Sequence, residues 1–251
     1  MSSFWKIVNE VILKSDVILI VLDARFVEST RNAKIDSKIA RTKKPIIHVI
    51  TKCDLVNKDL LEKYKQILYP CVFVSSTKFH GVKMLKERIY QEGSKRQLQN
   101  NEIIVGVLGY PNTGKSSLIN AMTGTNAAST SKLSGWTKAM KMIRASKGLV
   151  FLDTPGVMSI HKNNIIKQTI TGSIDFSKTK DLDIAVASII DSNPYLIESF
   201  YNVSKHKDPE ETVKEIAIKY KMLQKGNKPD VNRAYRLILT DWQEGKITVH
   251  D

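Results

Sequence analysis

Residues 109–116 read GYPNTGKS, a GxxxxGKS pattern whose residue types suit the holding of a polyphosphate. The pattern follows an apolar run, IIVGVLGY (103–110), and precedes a segment of helical spacing, SLINAMTG. That strand–loop–helix context separates a phosphate loop from a chance glycine-rich turn. Gly109 and Gly114 permit backbone conformations that turn successive N–H groups inward, toward phosphate oxygens. The loop residues Pro111, Asn112, Thr113 and Gly114, with Lys115, Ser116 and Ser117 behind them, are the candidate phosphate-binding set. Lys115 would meet β- and γ-phosphates, Ser116 would give its hydroxyl to Mg²⁺, and the helix beginning near Lys115 adds its positive N-terminal end.

A second strand-like run, GLVFLDTP (148–155), ends in DTPG (153–156). Asp153 fits a Mg²⁺-linked carboxylate at a strand end, and Gly156 would bring its amide close to a γ-phosphate. DxxG alone is weak, because Asp and Gly crowd every turn; downstream of a phosphate loop and on a strand end it gains force. Between the two motifs lies SGWTKAMKM, in which Thr137 is the candidate switch threonine for Mg²⁺ and γ-phosphate. Lys115, Thr137 and Gly156 are thus the expected catalytic groups, and Ser116, Thr137 and Asp153 the expected Mg²⁺ set. From Ile103 to Leu152 the chain has no acidic residue but carries Lys115, Lys132, Lys138, Lys141, Arg144 and Lys147. Such a segment suits either state-dependent contact with RNA or plain solvation of a basic loop.

Earlier in the chain, TKCD (51–54) ends the apolar run PIIHVI. The Asp54 carboxylate can accept two hydrogen bonds from N1–H and the 2-amino group of guanine. Adenine lacks that pair of donors, and the unpaired carboxylate would cost it a discrimination on the order of 10⁴. The stem of Lys52 can lie along the base plane, with Thr51 beside it. On the next strand end, VSST (74–77) offers Ser75 and Ser76, whose amides would meet guanine O6. TKxD by itself is common by chance; paired with a serine loop on the following strand, it makes a coherent guanine site.

These loops need a scaffold. DVILIVLDAR (16–25), PIIHVITK (45–52), CVFVSS (71–76), IIVGVLGY and GLVFLDTP are continuous rather than alternating apolar runs, as expected of strands buried on both faces of a parallel sheet. Helical spacing at 31–43, 58–68, 82–91 and 115–122 separates them. The expected fold is α/β, a mostly parallel sheet with helices on both faces. Ligands in such sheets sit beyond the carboxyl ends of the strands, where every loop above falls. QEGSKRQLQNNE (91–102) reads as a surface connector. From about residue 176 the strand-like pattern stops, and DLDIAVASIIDS, PEETVKEIAIKYKMLQKG and PDVNRAYRLILTDWQEG read as amphipathic helices. Asp208 and Pro209 open the second of these, and Gly226 and Gly245 fall where helix stops are expected. Two domains are expected, 1–175 and an all-helical 176–251.

The formal net charge is +14, and residues 1–175 hold all of it, with 27 Lys and Arg against 13 Asp and Glu; residues 176–251 hold 12 of each. A nucleic acid is the first partner this suggests, an anionic surface the second, and a generic basic surface the bland alternative. Arg31, Lys34, Lys38 and Arg41 would form one stripe on helix 31–43, with Ile35 and Ile39 on its buried side. In the last helix Val231, Ala234, Tyr235, Ile238 and Trp242 form an apolar face, with Arg233 and Arg236 outward. The run Val17–Leu22 is too short to span a bilayer, and Lys6, Glu10, Lys14 and Asp16 argue against a signal peptide. Cys53 and Cys71 form no CxxC pair, so neither zinc nor a disulfide framework is suggested. A cytoplasmic monomer without a membrane partner is expected.

The motifs run in the order base loop, serine loop, phosphate loop, switch threonine, DxxG. With DAR (23–25) after the first strand and PDVNRAYRLILTDWQEGKI (229–247) near the end, the chain resembles the circularly permuted GTPases of the YlqF/YawG type. The resemblance implies GTP binding and hydrolysis, action in large-ribosomal-subunit assembly and contact with rRNA or a subunit precursor. It makes 91–102 the join between former chain ends, which permutation requires to lie close together. Val157 stands where Ras-like enzymes carry a water-orienting glutamine; the family shares this apolar residue, which implies slow turnover until a partner activates it. Asn112 matches an asparagine that helps hold K⁺ in related GTPases, and equally suits a turn residue. No histidine precedes His48, so the N-terminal histidine of bacterial relatives has no counterpart in this sequence; His161 reads either as a substitute or as a solvent-facing loop residue. A signalling GTPase with a protein effector and a nucleotide-regulated RNA-binding protein with negligible turnover stand as alternatives.

Overall fold

Each of the five apolar runs forms a strand: β1 Val17–Asp23, β2 Ile46–Thr51, β3 Cys71–Val74, β4 Ile103–Gly109 and, after a short β5 at Lys141–Arg144, β6 Leu149–Asp153. The computed structural model describes residues 3–95, 102–124, 128, 141–145, 148–154, 169–172 and 182–248. Thr137, Gly156, Val157 and His161 lie outside these. The sheet order is β3-β2-β1-β4-β6-β5, parallel throughout except for β5, which runs antiparallel to β6. β5 was not legible as a strand: KMIR is short and charged, and only Ile143 of it is buried. Charge and shortness are ordinary at a sheet edge.

Both faces of the sheet are covered, which is why its strands read as unbroken apolar runs. Val17, Leu19 and Val21 of β1 belong to one core, with Leu85 and Ile89 of α5 (Val82–Gly93) and Leu118, Ile119 and Met122 of α6 (Lys115–Thr123). Ile18, Ile20 and Leu22 face the other core. It contains Val8 and Val11 of α1 (Ser3–Lys14), Val27 of α2 (Val27–Thr30), Ile35 and Ile39 of α3 (Ala33–Ala40) and Leu61 and Tyr64 of α4 (Lys58–Ile67). The α1 end packs so close to β4 that a Cβ on Gly106 would lie 2.2 Å from Ser15 Oγ. Only glycine fits that approach.

The expected helix 31–43 is shorter than its spacing suggests. Arg31 has extended backbone and caps α2, Asn32 caps α3 by accepting from Lys34 N at 3.1 Å, and the stripe is broken accordingly. Arg31 pairs with Asp36 at 2.9 Å and Lys38 lies 4.8 Å over the Trp5 ring, which leaves Lys34 and Arg41 exposed. The connector begins later than expected, since α5 runs through Gly93.

The chain divides into two compact units, Met1–Ile160 and His161–Asp251. The described part of the second holds α7 (Leu182–Ser192), α8 (Leu196–Tyr201), α9 (Pro209–Lys219) and α10 (Val231–Glu244). The helices α1 and α8 were not anticipated from the sequence. Asp208 caps α9, accepting from Glu210 N at 2.9 Å, with Pro209 in the first turn. Gly226 does not stop α9, because the helix ends earlier. Lys221 adopts the left-handed conformation (φ 54°), and the Met222 and Lys221 amides return to Ala217 O and Ile218 O. That pattern closes a helix end with any residue able to take positive φ. Gly245 does end α10, at φ 75°. Ala234, Tyr235, Ile238, Leu239 and Trp242 are buried, while Arg233 and Arg236 are exposed. Among the described residues no helix is long and apolar enough to cross a membrane.

Candidate functional site

Asp23, Thr51, Gly109 and Asp153 are the last residues of β1, β2, β4 and β6. Parallel pairing therefore brings their loops to one edge of the sheet, beside the place where strand order reverses around β1. The phosphate loop leaves β4 at Gly109 and re-enters helix at Lys115. Asn112 (φ 58°) and Gly114 (φ 89°) both take the left-handed conformation, which turns the loop back on itself. Asn is among the few residues with a side chain that tolerate it. Lys115 Nζ donates to Tyr110 O at 2.7 Å, across the mouth of the loop, and Thr113 Oγ1 donates to the same carbonyl at 2.9 Å. Ser116 follows in the first turn of α6.

Lys115 is buried beside few anionic groups, and burial lowers its pKa to about 8 against the opposing pull of Asp153. Asp153 is buried, and among the described residues neither carboxylate oxygen has a hydrogen-bond partner of good geometry. Burial raises its pKa; Lys115, Lys141 and the Thr154 amide act in the opposite direction. A buried carboxylate with unused lone pairs is costly unless a cation meets it. With the Ser116 hydroxyl in the first turn of α6 and polyphosphate oxygens to complete a shell, the chemistry of this donor set fits Mg²⁺, which takes few protein ligands. The other two groups expected there, Thr137 and Gly156, lie outside the described residues.

The base loop is tied to the phosphate loop directly. Thr51 Oγ1 lies 2.9 Å from Leu22 O and 2.5 Å from Thr113 O. Lys52 takes the left-handed conformation (φ 57°), and its Nζ donates to Asn112 O at 2.8 Å and to Asp23 Oδ2 at 2.7 Å. The Lys52 stem thus crosses from base loop to phosphate loop, and a short 3₁₀ turn, Cys53–Leu55, presents the half-buried Asp54 next to it. The structure thus bonds Thr51 and Lys52 of the base loop directly to Thr113 and Asn112 of the phosphate loop, with Asp54 in the turn that follows Lys52.

The serine loop differs in detail from its expected role. The Ser75 N–H, expected at guanine O6, is donated to His80 O at 3.1 Å. Its buried hydroxyl accepts from Lys78 N at 3.1 Å, so Ser75 shapes the turn that follows β3. Ser76, next in line, is half-buried.

Sequence reasoning gave Asp23 and Arg25 no role at the site. Arg25 reaches Asp23 with its backbone N–H, Nε and Nη2 at 3.1, 3.0 and 2.8 Å. Burial works to raise the Asp23 pKa, but Lys52 and Arg25 together outweigh it and hold the carboxyl well below the usual carboxylate range. The available signal was the position of DAR at a strand's carboxyl end, like every other loop of the site.

Residues 104–229 match the family model described as 50S ribosome-binding GTPase, and residues 12–163 match the one described as RsgA GTPase. The chain belongs to the circularly permuted YlqF-type GTPases. The permutation is the motif order itself, with the base loop on β2 and the phosphate loop after β4. A GTP-binding protein of Methanocaldococcus jannaschii is 37% identical over 98% of this chain and 66% of its own length. The nucleolar GTP-binding protein 2 of Neurospora crassa is 28% identical over 97% of this chain and 40% of its own. The chain thus spans only part of the length of these relatives. A GDP-bound structure of YlqF superposes with a TM-score of 0.67 at 21% identity, covering 96% of this chain and 95% of that one, and so shares the permuted GTPase fold.

Proposed function

We propose that this protein binds GTP with Mg²⁺, hydrolyses it to GDP and phosphate, and uses the two nucleotide states to grip and release a precursor of the large ribosomal subunit. The observation that carries the reading is the direct bonding of the base loop to the phosphate loop, Thr51 to Thr113 O and Lys52 to Asn112 O. A guanine held by Asp54 and a triphosphate held by Lys115 then belong to one nucleotide.

In this reading Asp54 takes N1–H and the 2-amino group, the Lys52 stem lies along the base, and the Ser76 amide, with Ser75 shaping its loop, meets O6. The phosphate-loop amides, Lys115 and Ser117 hold the phosphates, and Ser116, Asp153 and Thr137 would hold Mg²⁺, which neutralises phosphate charge. Thr137 and Gly156 sense the γ-phosphate. Val157 cannot hydrogen-bond a water, so turnover is slow until a partner completes the site. Asn112 either contributes to a K⁺ site or serves the turn that its left-handed backbone already makes.

The ribosomal part draws support from the matched family's description, from the nucleolar relative's name and from the basic excess of residues 1–175. Residues 1–175 act as the GTPase domain and 176–251 as a helical domain facing rRNA, in a cytoplasmic monomer. The test is sedimentation with large-subunit particles at low salt. Co-sedimentation in a non-hydrolysable GTP analogue, its loss in GDP, and faster GTP hydrolysis on adding particles and K⁺ are expected. Equal sedimentation in both nucleotides would sink the ribosomal reading, and a preference for ADP over GDP would sink the guanine site.

A further inference from the structure

Asp23 is fully buried, and every bond to its carboxylate leads toward the base loop or holds the carboxylate in place. Oδ1 accepts from the Arg25 backbone N–H and Nε; Oδ2 accepts from Arg25 Nη2 and from Lys52 Nζ. Its own N–H donates to Thr30 Oγ1 at 3.1 Å, which fixes the strand end. The Arg25 side chain is 3% exposed, so the pair is an enclosed one. Lys52 is different: its side chain keeps 24% of its surface accessible and therefore has a route to solvent.

Two features of Lys52 need an external constraint. Its backbone is left-handed, a conformation that persists in a residue with a side chain only where surroundings enforce it. Burial does most to lower the pKa of its ammonium, Asp23 opposes this, and the nearby Arg25 guanidinium, a like charge, adds to the lowering. Remove the carboxylate, and the two cations repel across a poorly solvated gap. The flexible lysine is the one able to leave. Its departure would break the Lys52–Asn112 link and loosen the turn that carries Asp54.

We propose that Asp23 is a positioning residue for the guanine site. Its carboxylate, clamped by Arg25, holds Lys52 across the crevice and so fixes base loop and phosphate loop at one separation. The inference rests on the guanine-nucleotide reading of the crevice and adds to it a dependence of GDP affinity on a residue that acts only through Lys52.

A double-mutant cycle tests it, with GDP affinity measured by fluorescent-nucleotide titration on the full chain. Asp23→Asn and Lys52→Met are each expected to weaken GDP binding by about tenfold or more, and the double variant by little more than Lys52→Met alone, because one contact cannot be lost twice. Thermal melting of each variant reports folding separately. Losses that multiply in the double variant, or an Asp23→Asn affinity equal to that of the parent, overturn the proposal. Should Asp23→Asn not fold, Arg25→Gln takes its place: it unclamps the carboxylate, and its effect must likewise vanish in the Lys52→Met background. The parent chain separates the two levels of failure. If it does not bind GDP, the guanine reading fails; if it does and the cycle is additive, only the role of Asp23 fails.

Discussion

The Thr51 hydroxyl lies 2.5 Å from the Thr113 carbonyl although 62 residues separate them in the chain. One strand end thereby closes directly on the loop that leaves another strand. Thr51 is 1% exposed, so no water replaces the bond when it is removed. Thr51→Val keeps the shape and deletes the donor, leaving buried carbonyls without it. A loss of about 1–3 kcal/mol in stability is expected, together with weaker GDP binding. Chemical denaturation and nucleotide titration on the same preparation check both.

Lys115 gives the site a pH dependence whose direction follows from its surroundings. Burial holds its pKa at about 8, below the ordinary 10.5. Without nucleotide, the unfolded chain therefore binds more protons than the folded one between those values, and folded-state stability rises with pH across that window. Phosphate oxygens favour the charged ammonium and push the pKa back up. GDP binding at pH 8.5 should thus take up a fraction of a proton, and affinity should fall as pH passes about 8. Calorimetry in buffers of different ionisation enthalpy reads this uptake; a value of zero at pH 8.5 would contradict the buried state of Lys115.

Much of the fold was legible because the sheet is covered on both sides. A strand with Val17, Leu19 and Val21 in one core and Ile18, Ile20 and Leu22 in the other leaves no polar alternation to confuse with anything else. The loops were legible for a related reason: TKCD and GYPNTGKS concentrate unusual residue types just where such runs stop. What escaped depended on contacts that sequence spacing does not encode. KMIR becomes a strand only because β6 pairs with it. Arg31 leaves its stripe because Asn32 starts a new helix and Asp36 captures the guanidinium. Asp23 and Lys52 meet across 29 residues through adjacent parallel strands, with no local pattern to announce them.

Asp153 separates stability from function. Its carboxylate is buried with no well-formed hydrogen bond among the described residues, and burial raises its pKa despite Lys115, Lys141 and the Thr154 amide. The charged form is therefore a net cost to the nucleotide-free fold, one relieved as pH falls through the raised pKa. Asp153→Asn removes that charge and should leave the nucleotide-free melting temperature equal or higher. The same change should abolish the increase in GTP affinity that Mg²⁺ brings. Thermal melts with and without Mg²⁺·GTP distinguish this from a general loss of fold, which would lower both curves.

In the proposed guanine site, Asp54 is the residue that selects the purine. An ionised carboxylate offers acceptors only, and guanine presents two matched donors in N1–H and the 2-amino group. In Asp54→Asn the amide presents a donor where one acceptor stood, so one of the two guanine bonds becomes a clash of donors. Xanthine carries a carbonyl at position 2 and restores the match. Asp54 stands in a 3₁₀ turn set by Lys52, and the substitution leaves the Lys52–Asn112 link in place. The expected result is a GDP affinity lower by two or more orders of magnitude, with XDP binding gained and ADP binding unchanged. Competition titration with the three diphosphates measures all of these at once. Parallel loss of GDP and XDP would place the base elsewhere than against Asp54.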